Sequence, residues 1–472
     1  MPIQYLTADA VRVAEHATGD LLANGTLMRR ASAGVARAVI GELNRTGGCY
    51  GRAVGLVIGA GNNGGDALYA GAILARRGVR CSAVLLVPDR AHAGGLAALR
   101  AAGGRVVDVL PVSLDMVVDG VLGIGGTGPL RPAAAEVFAQ VTAPIVAVDL
   151  PSGIDADTGV VNDPSVRAAI TVTFGAYRNL HLLAAPRCGR IDLVDIGLPP
   201  TDTPDGLFSL TDADVAGLWP VPGPADDKYT QGVVGIVAGS ARYPGAAILA
   251  SGAAVSATSG MTRYVGSAAD QVVSHYPEVV AANGLADAGK VQAWAVGPGM
   301  GTGDEALEIL RTVLATDLPV LVDADGLTVL AQNLDLVRGR SAPTLLTPHA
   351  GEFARLAGTG VGDDRLSAVR ALAAELGATV LLKGRITLVA TPTGRVYGND
   401  AGSSWAATAG AGDVLTGIAG SLLAAGLEPA LAGACAARVH ALAAARAAAG
   451  APIGASALLA AVRPVIRDLR NA

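Results

Sequence analysis

The residues that could do chemistry in the first half of the chain sit around glycine turns. Gly59-Ala60-Gly61-Asn62-Asn63-Gly64-Gly65-Asp66 follows a β-branched run and precedes a helical pattern. A strand–turn–helix junction of this kind brings backbone N–H groups and a helix N-terminus up to a phosphate. Gly59, Gly61 and Gly64 have the dinucleotide-binding spacing, but in a chain with 63 glycines among 472 residues that spacing carries little by itself. The acid usually found about 20 residues after such glycines is also missing around Arg80. Asn62, Asn63 and Asp66 add amide and carboxylate oxygens suited to a cation or a ribose–phosphate edge. Further loops follow strand-like runs: Asp119-Gly120-Val121-Leu122-Gly123-Ile124-Gly125-Gly126-Thr127-Gly128-Pro129, and Asp149-Leu150-Pro151-Ser152-Gly153-Ile154-Asp155. Loops leaving the C-terminal ends of parallel strands converge on one edge of the sheet, so Asp119, Asp149 and Ser152 could meet Asn63 across one cleft. Each loop taken alone also reads as a tight turn or a helix cap.

In the second half, Thr408-Ala409-Gly410-Ala411-Gly412-Asp413-Val414-Leu415 opens a long Ala/Leu helical pattern. Small residues before a helix aim several N–H donors at one point, a hole for a transferring phosphoryl group. The helix dipole would hold Asp413 as a carboxylate ready to accept a hydroxyl proton. The simpler reading is an N-terminal cap. Lys383-Gly384-Arg385-Ile386-Thr387 lies between two strand-like runs and could set a Lys and backbone amides against a phosphate. Gly297-Pro298-Gly299-Met300-Gly301-Thr302-Gly303, Asp323-Ala324-Asp325 and Thr347-Pro348-His349-Ala350-Gly351-Glu352 each follow a strand-like run. A lone His is more often structural, but His349 in such a loop is placed to contact a substrate.

The elements that must position these loops are legible as alternation. Strands are predicted at Ala53–Ile58, Ser82–Val87, Met116–Leu122, Ile145–Val148 and Ile170–Phe174, and helices at Thr7–Gly19, Leu27–Leu43, Ala67–Arg77 and Ala91–Ala101. The second half repeats the pattern with strands at Val233–Ala238, Val291–Val296, Val320–Val322, Thr344–Leu346, Thr379–Leu382 and Thr387–Ala390, then a helical block from Gly412 to Asn471. Strands alternating with helices predict βαβ units and parallel sheets covered on both faces. Between the halves, the run from Pro199 to Pro224 is dense in Pro, Asp and Thr, and the boundary is placed near Phe208 to Thr211.

Composition narrows the class. At 51% hydrophobic and 16% charged, the chain is no disordered polymer. A net charge of −5 gives no footprint for nucleic acid. The longest uncharged stretch, between Arg242 and Arg263, is interrupted by Pro and Gly and reads as a buried core helix, not a membrane span. The four cysteines form no CxxC pair, so neither a zinc site nor a disulfide framework is expected. With no secretory pattern at the N-terminus, the cytoplasm is the expected location.

Taken in order, GNNGGD, DGVLGIGGTG, DLPSGIDADTG and VTFGA resemble the NAD(P)H-hydrate epimerase domain. The resemblance implies that Asn62, Asn63, Gly64, Gly65 and Asp66, with Gly123, Ile124, Gly125, Gly126, Thr127, Gly128 and Pro129, bind the damaged dinucleotide. It makes Asn63, Asp119 and Ser152 ligands of K⁺, and Asp149 the substrate-binding acid/base group. The family usually carries Lys where this chain has Arg178, and Asn179-Leu180-His181 replaces a Pro-Gly pattern. Arg does not give up a proton near neutral pH. GSARYPGA, GPGMGTG, VDADGL, LTPHAGE, KGRITLV and TAGAGDVLTG resemble the ribokinase-like, ADP- or ATP-dependent NAD(P)H-hydrate dehydratases. That resemblance implies a nucleotide, ADP by preference and with Mg²⁺, on Lys383, Gly384, Arg385, Ile386, Thr387 and Gly412. Ala246, Gly299, Gly301, His349 and Asp413 would contact the hydrate, with Asp413 catalytic. The implied fold is α/β: a Rossmann-like three-layer domain over residues 1–208, then a ribokinase-like α/β domain over 209–472. The substrates would be the hydrates of NADH and NADPH, and the expected assembly is a homo-oligomer. Two other readings stay open: a vitamin or sugar kinase fused to a Rossmann-like dehydrogenase domain, and a nucleotide-binding scaffold whose first domain has lost its chemistry.

Overall fold

In a computed structural model that describes residues 1–201 and 203–471, the aliphatic and β-branched runs of the first half become strands of one parallel sheet. They are β1 (Ala53–Ile58), β2 (Arg80–Leu85), β3 (Arg105–Val106), β4 (Met116–Gly120), β5 (Ile145–Val148), β6 (Ile170–Phe174) and β7 (Arg190–Val194), in the order β3-β2-β1-β4-β5-β6-β7. The strand order reverses between β1 and β4, and a ligand crevice opens where order reverses in such sheets. The two strands are in register there, Val57 opposite Asp119, and Gly59 N–H donates to the Gly120 carbonyl at 3.0 Å. A side chain at Gly59 would run into the Val121 carbonyl, so this crossing of backbones requires glycine.

Helices α1 (Ala8–Ala17), α2 (Thr26–Arg45) and α3 (Asn62–Arg76) belong to this unit, which spans Gln4–Thr203. Helix α3 starts five residues earlier than predicted: Asn62-Asn63-Gly64-Gly65-Asp66 is its first turn and not a loop before it. Gly-Gly is a poor helix former, but here packing overrides propensity. A Cβ at Gly64 would press on the Gly59 carbonyl, and one at Gly65 would come within 2.9 Å of the His92 ring.

The second unit takes the chain from Pro204 onward together with Met1–Ile3. Its strands are β8 (Leu207–Ser209), β9 (Val233–Val237), β10 (Met261–Val265), β11 (Val280–Ala282), β12 (Ala293–Val296), β13 (Val320–Val322), β14 (Thr344–Leu346), β15 (Thr379–Leu382), β16 (Ile386–Ala390) and β17 (Val396–Asp400). They lie in the order β11-β10-β9-β12-β13-β14-β15-β16-β17-β8, parallel except where β16 runs antiparallel to β15 and β17. Order reverses again between β9 and β12, and there Gly239 N–H donates to the Pro298 carbonyl. The Arg242–Arg263 stretch is only partly the single helix expected of it. Helix α4 occupies Pro244–Ala257, and the chain then turns into edge-ward strand β10. Helix α7 (Ala411–Ala424) packs so closely on α4 that a side chain at Gly417 would overlap the Ala250 carbonyl. Two shorter helices, α5 (Ala350–Ala357) and α6 (Arg365–Leu376), and a long one, α8 (Pro429–Ala448), complete the frame of the second site. Among the described residues, no helix is long and apolar enough to cross a membrane.

Candidate active sites

At the first switch point lies a cavity of about 690 Å³. It is lined by Asn62, Asn63, Asp66, Gly123, Ile124, Gly125, Gly126, Thr127, Pro129, Asp149 and Arg178, with Arg12 and Glu15 from α1. Gly64, Gly65, Gly128, Asp119 and Ser152 are not part of its lining. The last two sit beneath it. Asp119 is fully buried, and its carboxylate accepts hydrogen bonds from Ser152 Oγ at 2.7 Å, Ser152 N–H at 2.8 Å and Val121 N–H at 3.1 Å. Burial pushes this carboxyl up to about 6, against the pull of those donors. Ser152 Oγ accepts from Leu122 N–H, and Asn63 Nδ2 donates to the Leu122 carbonyl at 2.7 Å. Asn63, Asp119 and Ser152 thus meet around one short stretch of backbone, Asp119 and Ser152 behind the cavity wall and not on it.

Asp149 leaves β5 with φ of 67°, a left-handed conformation unusual for a side chain larger than glycine. Its Oδ1 accepts from Thr173 Oγ1 at 3.1 Å and pairs with the Arg178 guanidinium at 3.0 Å. Arg178 is almost wholly buried, with a second guanidinium nitrogen donating to the Ala176 and Phe174 carbonyls. His181 holds the turn: its Nδ1 accepts from Arg178 N–H, so Nε2 carries the hydrogen and donates to the Asp149 carbonyl at 2.9 Å. Burial lowers this imidazole to about 4, which keeps it neutral. Asp66 is buried beside Ser32 Oγ, and loss of solvent raises its carboxyl well above the usual range.

The second site is organised by a buried ion pair. Lys383, at the end of β15, donates to Asp323 Oδ1 at 2.6 Å and lies 3.7 Å from Glu352 Oε2. Thr416 Oγ1 donates to the other Asp323 oxygen at 2.7 Å. Burial opposes the ammonium charge, but Asp323 and Glu352 together outweigh it and hold the lysine above its ordinary value. His349 is the N-cap of α5: its Nδ1 accepts from Gly351 and Glu352 N–H, while Glu352 reaches back to His349 N–H at 2.8 Å. A cavity of about 490 Å³ is lined by His349, Lys383, Gly384, Arg385, Thr387 and Gly412, with Asn399 and His440. Ile386 is not on that wall; its side chain is buried in the sheet.

Ala246, Gly299, Gly301 and Asp413 lie outside this cavity's lining. A Cβ on Gly299 would stand 3.0 Å from that of Ala246, so these two backbones meet, and Gly301 N–H donates to Asp325 Oδ2 at 2.9 Å. Asp413 is not the cap of α7: that position is Gly410, at φ 83°, with no side-chain cap bond. Nor does the dipole keep Asp413 strongly acidic, as expected from its place at a helix start. Burial, reinforced by the charges of Asp323 and Asp325 and only partly offset by Lys383, raises it to about 7. It therefore feels both the lysine of the cavity wall and the aspartate that fixes the Gly301 loop. Thr416, three residues after Asp413 on α7, and Glu15, three after Arg12 on α1, went unrecognised in the sequence; their helical spacing was the available signal.

The comparisons with known proteins divide the chain in the same way. Residues 24–180 match the family described as YjeF-related protein N-terminus, and residues 234–463 match the NAD(P)H-hydrate dehydratase family. A bifunctional NAD(P)H-hydrate repair enzyme of Mycobacterium leprae is 57% identical over 475 residues, covering 98% of this chain and 99% of that protein. Its counterpart in Corynebacterium glutamicum is 40% identical over 446 residues, covering 78% and 77%. The crystal structure of an ADP/ATP-dependent NAD(P)H-hydrate dehydratase from Bacillus subtilis, co-crystallised with ATP and Mg²⁺, is 27% identical and superimposes with a TM-score of 0.50, covering 55% of this chain and 97% of its own. A ribokinase-like superfamily protein of Enterococcus faecalis, 22% identical at a TM-score of 0.52, shares the fold of the second unit and covers 58% of this chain and 100% of its own. The chain belongs to the family of bifunctional NAD(P)H-hydrate repair enzymes.

Proposed function

We infer that the first unit interconverts the R and S epimers of hydrated NADH and NADPH, and that the second dehydrates the S hydrate at the expense of ADP, giving AMP and phosphate. The observation that carries this reading is the position of Asp413. It is a half-buried carboxyl raised to about 7, influenced both by Lys383 of the cavity wall and by Asp325, which fixes a glycine loop. A base with that affinity takes a hydroxyl proton efficiently near neutral pH. The hydrate's hydroxyl oxygen would attack the terminal phosphoryl of ADP as Asp413 accepts its proton, releasing AMP. Phosphate is a far better leaving group than hydroxide, and the lone pair of the adjacent ring nitrogen expels it. Loss of a ring proton then restores the reduced nicotinamide. The N–H groups from Gly410 to Gly412 and Lys383 would stabilise the transferring charge.

Mg²⁺, brought in on the nucleotide phosphates, would supply further positive charge there. Among the described residues no group of three or more His, Cys, Asp or Glu is arranged to hold a metal, which fits an ion carried by its nucleotide better than one held by a protein cage. In the first unit K⁺ would sit on Asn63, Asp119 and Ser152. Their oxygens are the hard donors such an ion takes, and a positive charge would relieve the fully buried Asp119. A K⁺ held by these residues would tie together the loops that carry Asp149 and the Gly123–Pro129 segment. We expect a homo-oligomer in the cytoplasm, which light scattering and fractionation would check. The decisive assay supplies resolved R and S hydrates with ADP and Mg²⁺ and follows the return of reduced-nicotinamide absorbance. A sugar or vitamin kinase would need an added alcohol and restore none.

A further inference from the structure

The first cavity contains more proton-carrying groups than the family resemblance assigns. One route that moves a hydroxyl between the two faces of a ring carbon bearing nitrogen breaks and re-forms its C–O bond. In a balanced route, an acid protonates the hydroxyl, the ring nitrogen's lone pair expels water, and a C=N⁺ iminium remains. Water then adds to the opposite face while a base takes its proton. Each turnover delivers one proton from the acid to the base, and the reverse reaction returns it. Such a route uses two proton-carrying groups.

The charged residues on the cavity wall are Arg12, Glu15, Asp66, Arg90, Arg131, Asp149 and Arg178. The four arginines stay charged and transfer nothing. His181 is turned away, its ring committed between Arg178 N–H and the Asp149 carbonyl. Asp66 is buried and within 3.3 Å of Ser32 Oγ. Glu15 differs from both: it is half-buried, it lines the cavity, and no hydrogen bond or ion pair to its carboxylate is found among the described residues. Its neighbour on the same helix face, Arg12, donates to the Ile124 carbonyl at 3.2 Å, which ties this face of α1 to the glycine loop of the site.

We propose that Glu15 is the second acid/base group of the epimerase site, acting with Asp149 on the hydroxyl and the incoming water. The proposal rests on the epimerase reading of this unit. The charges that face Glu15 are Arg12 and His16 on its own helix and Asp149, Arg178 and Asp66 across the cavity. Burial raises its carboxyl, the Arg178 guanidinium pulls the other way, and Asp149 adds to the rise. The net rise moves it toward the range where a carboxyl both gives and takes protons.

The test uses the full-length protein and resolved R hydrate. Epimerisation is measured from pH 5 to 9 for wild type, Glu15→Gln and Glu15→Asp, with the uncatalysed rate subtracted and dehydration of the S hydrate as a check on the rest of the chain. The expected result is a fall in kcat of about a hundredfold or more for Glu15→Gln, with KM within a few-fold and one limb of the pH profile gone. Glu15→Asp should keep that limb at an intermediate rate. If Glu15→Gln does not fold, the profile of Glu15→Asp decides: a displaced limb supports the role, and a superimposable profile overturns it. A Glu15→Gln variant within threefold of wild type at every pH also overturns it. Wild type that dehydrates the S form but never converts R to S would instead overturn the epimerase reading beneath it.

Discussion

Asp149 and Asp413 are the carboxylates on which the proposed chemistry of the two units rests, one just past the end of strand β5 and the other in the first turn of helix α7, and their surroundings are opposites. Asp149 is bound directly to a guanidinium at 3.0 Å and to a threonine hydroxyl. In the second unit the nearby cation, Lys383, is spent on a different carboxylate, Asp323, which Thr416 also holds. That leaves Asp413 without a tight partner, and burial raises it to about 7. The lesson is that a buried carboxylate becomes a base for chemistry when the local positive charge is neutralised elsewhere. Where the charge is placed on it, as Arg178 is on Asp149, the carboxylate is positioned firmly and a further group has to share the proton traffic.

The sharpest way to break this contrast is Asp413→Asn. It retains size but removes the basic oxygen, and dehydration of the S hydrate should fall by roughly a hundred- to ten-thousandfold. Epimerisation and ADP binding should persist. The stability sign separates this from unfolding. Asp413 binds its proton more tightly in the folded chain than in the unfolded one, so its contribution to stability declines as pH rises from the usual carboxylate range to about 7. The Asn variant lacks that decline, and its melting temperature at pH 8 should equal or exceed wild type. A variant that dehydrates within a few-fold of wild type would remove Asp413 from the chemistry.

A second consequence concerns wild type. With a base near 7, the dehydration rate should climb about tenfold per pH unit below that point and level above it, roughly a hundredfold from pH 5 to 9. Epimerisation should not follow the same curve, because Asp413 belongs to the other unit. Parallel profiles for the two activities would contradict the separation.

Asp119→Ala sharpens the comparison from the other side. It removes a carboxylate that accepts from Ser152 and Val121 and would anchor K⁺. Epimerisation should drop on the order of ten- to a hundredfold, the scale on which supports of a bound metal act, with dehydration of pure S hydrate near wild type. Equal loss of both activities would mean that Asp119 serves the stability of the whole chain.

What the sequence made legible follows from where the physics is local. Strands β1, β5 and β6 are short runs rich in β-branched residues, and their ends match expectation to the residue. Glycine loops were legible because only glycine allows the backbone crossings at Gly59, against the Val121 carbonyl, and at Gly297, against the Asp323 carbonyl. Only Met261 and Thr262 of strand β10, MTRYV, fall inside the uncharged stretch read as a helix, and Ser259-Gly260 is the turn that separates the two elements. The start of α3 was missed because Gly-Gly argues against helix until the contacts with Gly59 and His92 are known. In the sites, motif residues could be named; Thr173 and Thr416 lie within the VTFGA and TAGAGDVLTG stretches, and only the fold shows what their hydroxyls hold, whereas Glu15 and His440 stand outside every motif quoted.

The smallest effect expected is at His349, where one side chain carries two duties. Its Nδ1 caps α5 through Gly351 and Glu352, and its ring edge lies on the cavity wall. Replacing it with Ala would mix loss of a cap, worth about 1 kcal/mol, with loss of any contact to the hydrate. His349→Asn separates them, because Asn is among the best N-caps and should keep the melting temperature within a degree or two of wild type. If the exposed ring contacts the hydrate, KM for the S form should rise a few-fold while kcat and the affinity for ADP stay put. An unchanged KM in a fully stable Asn variant would leave His349 as the cap alone, and the recognition of the hydrate would pass to the Ala246–Gly299 approach and the Gly301 loop.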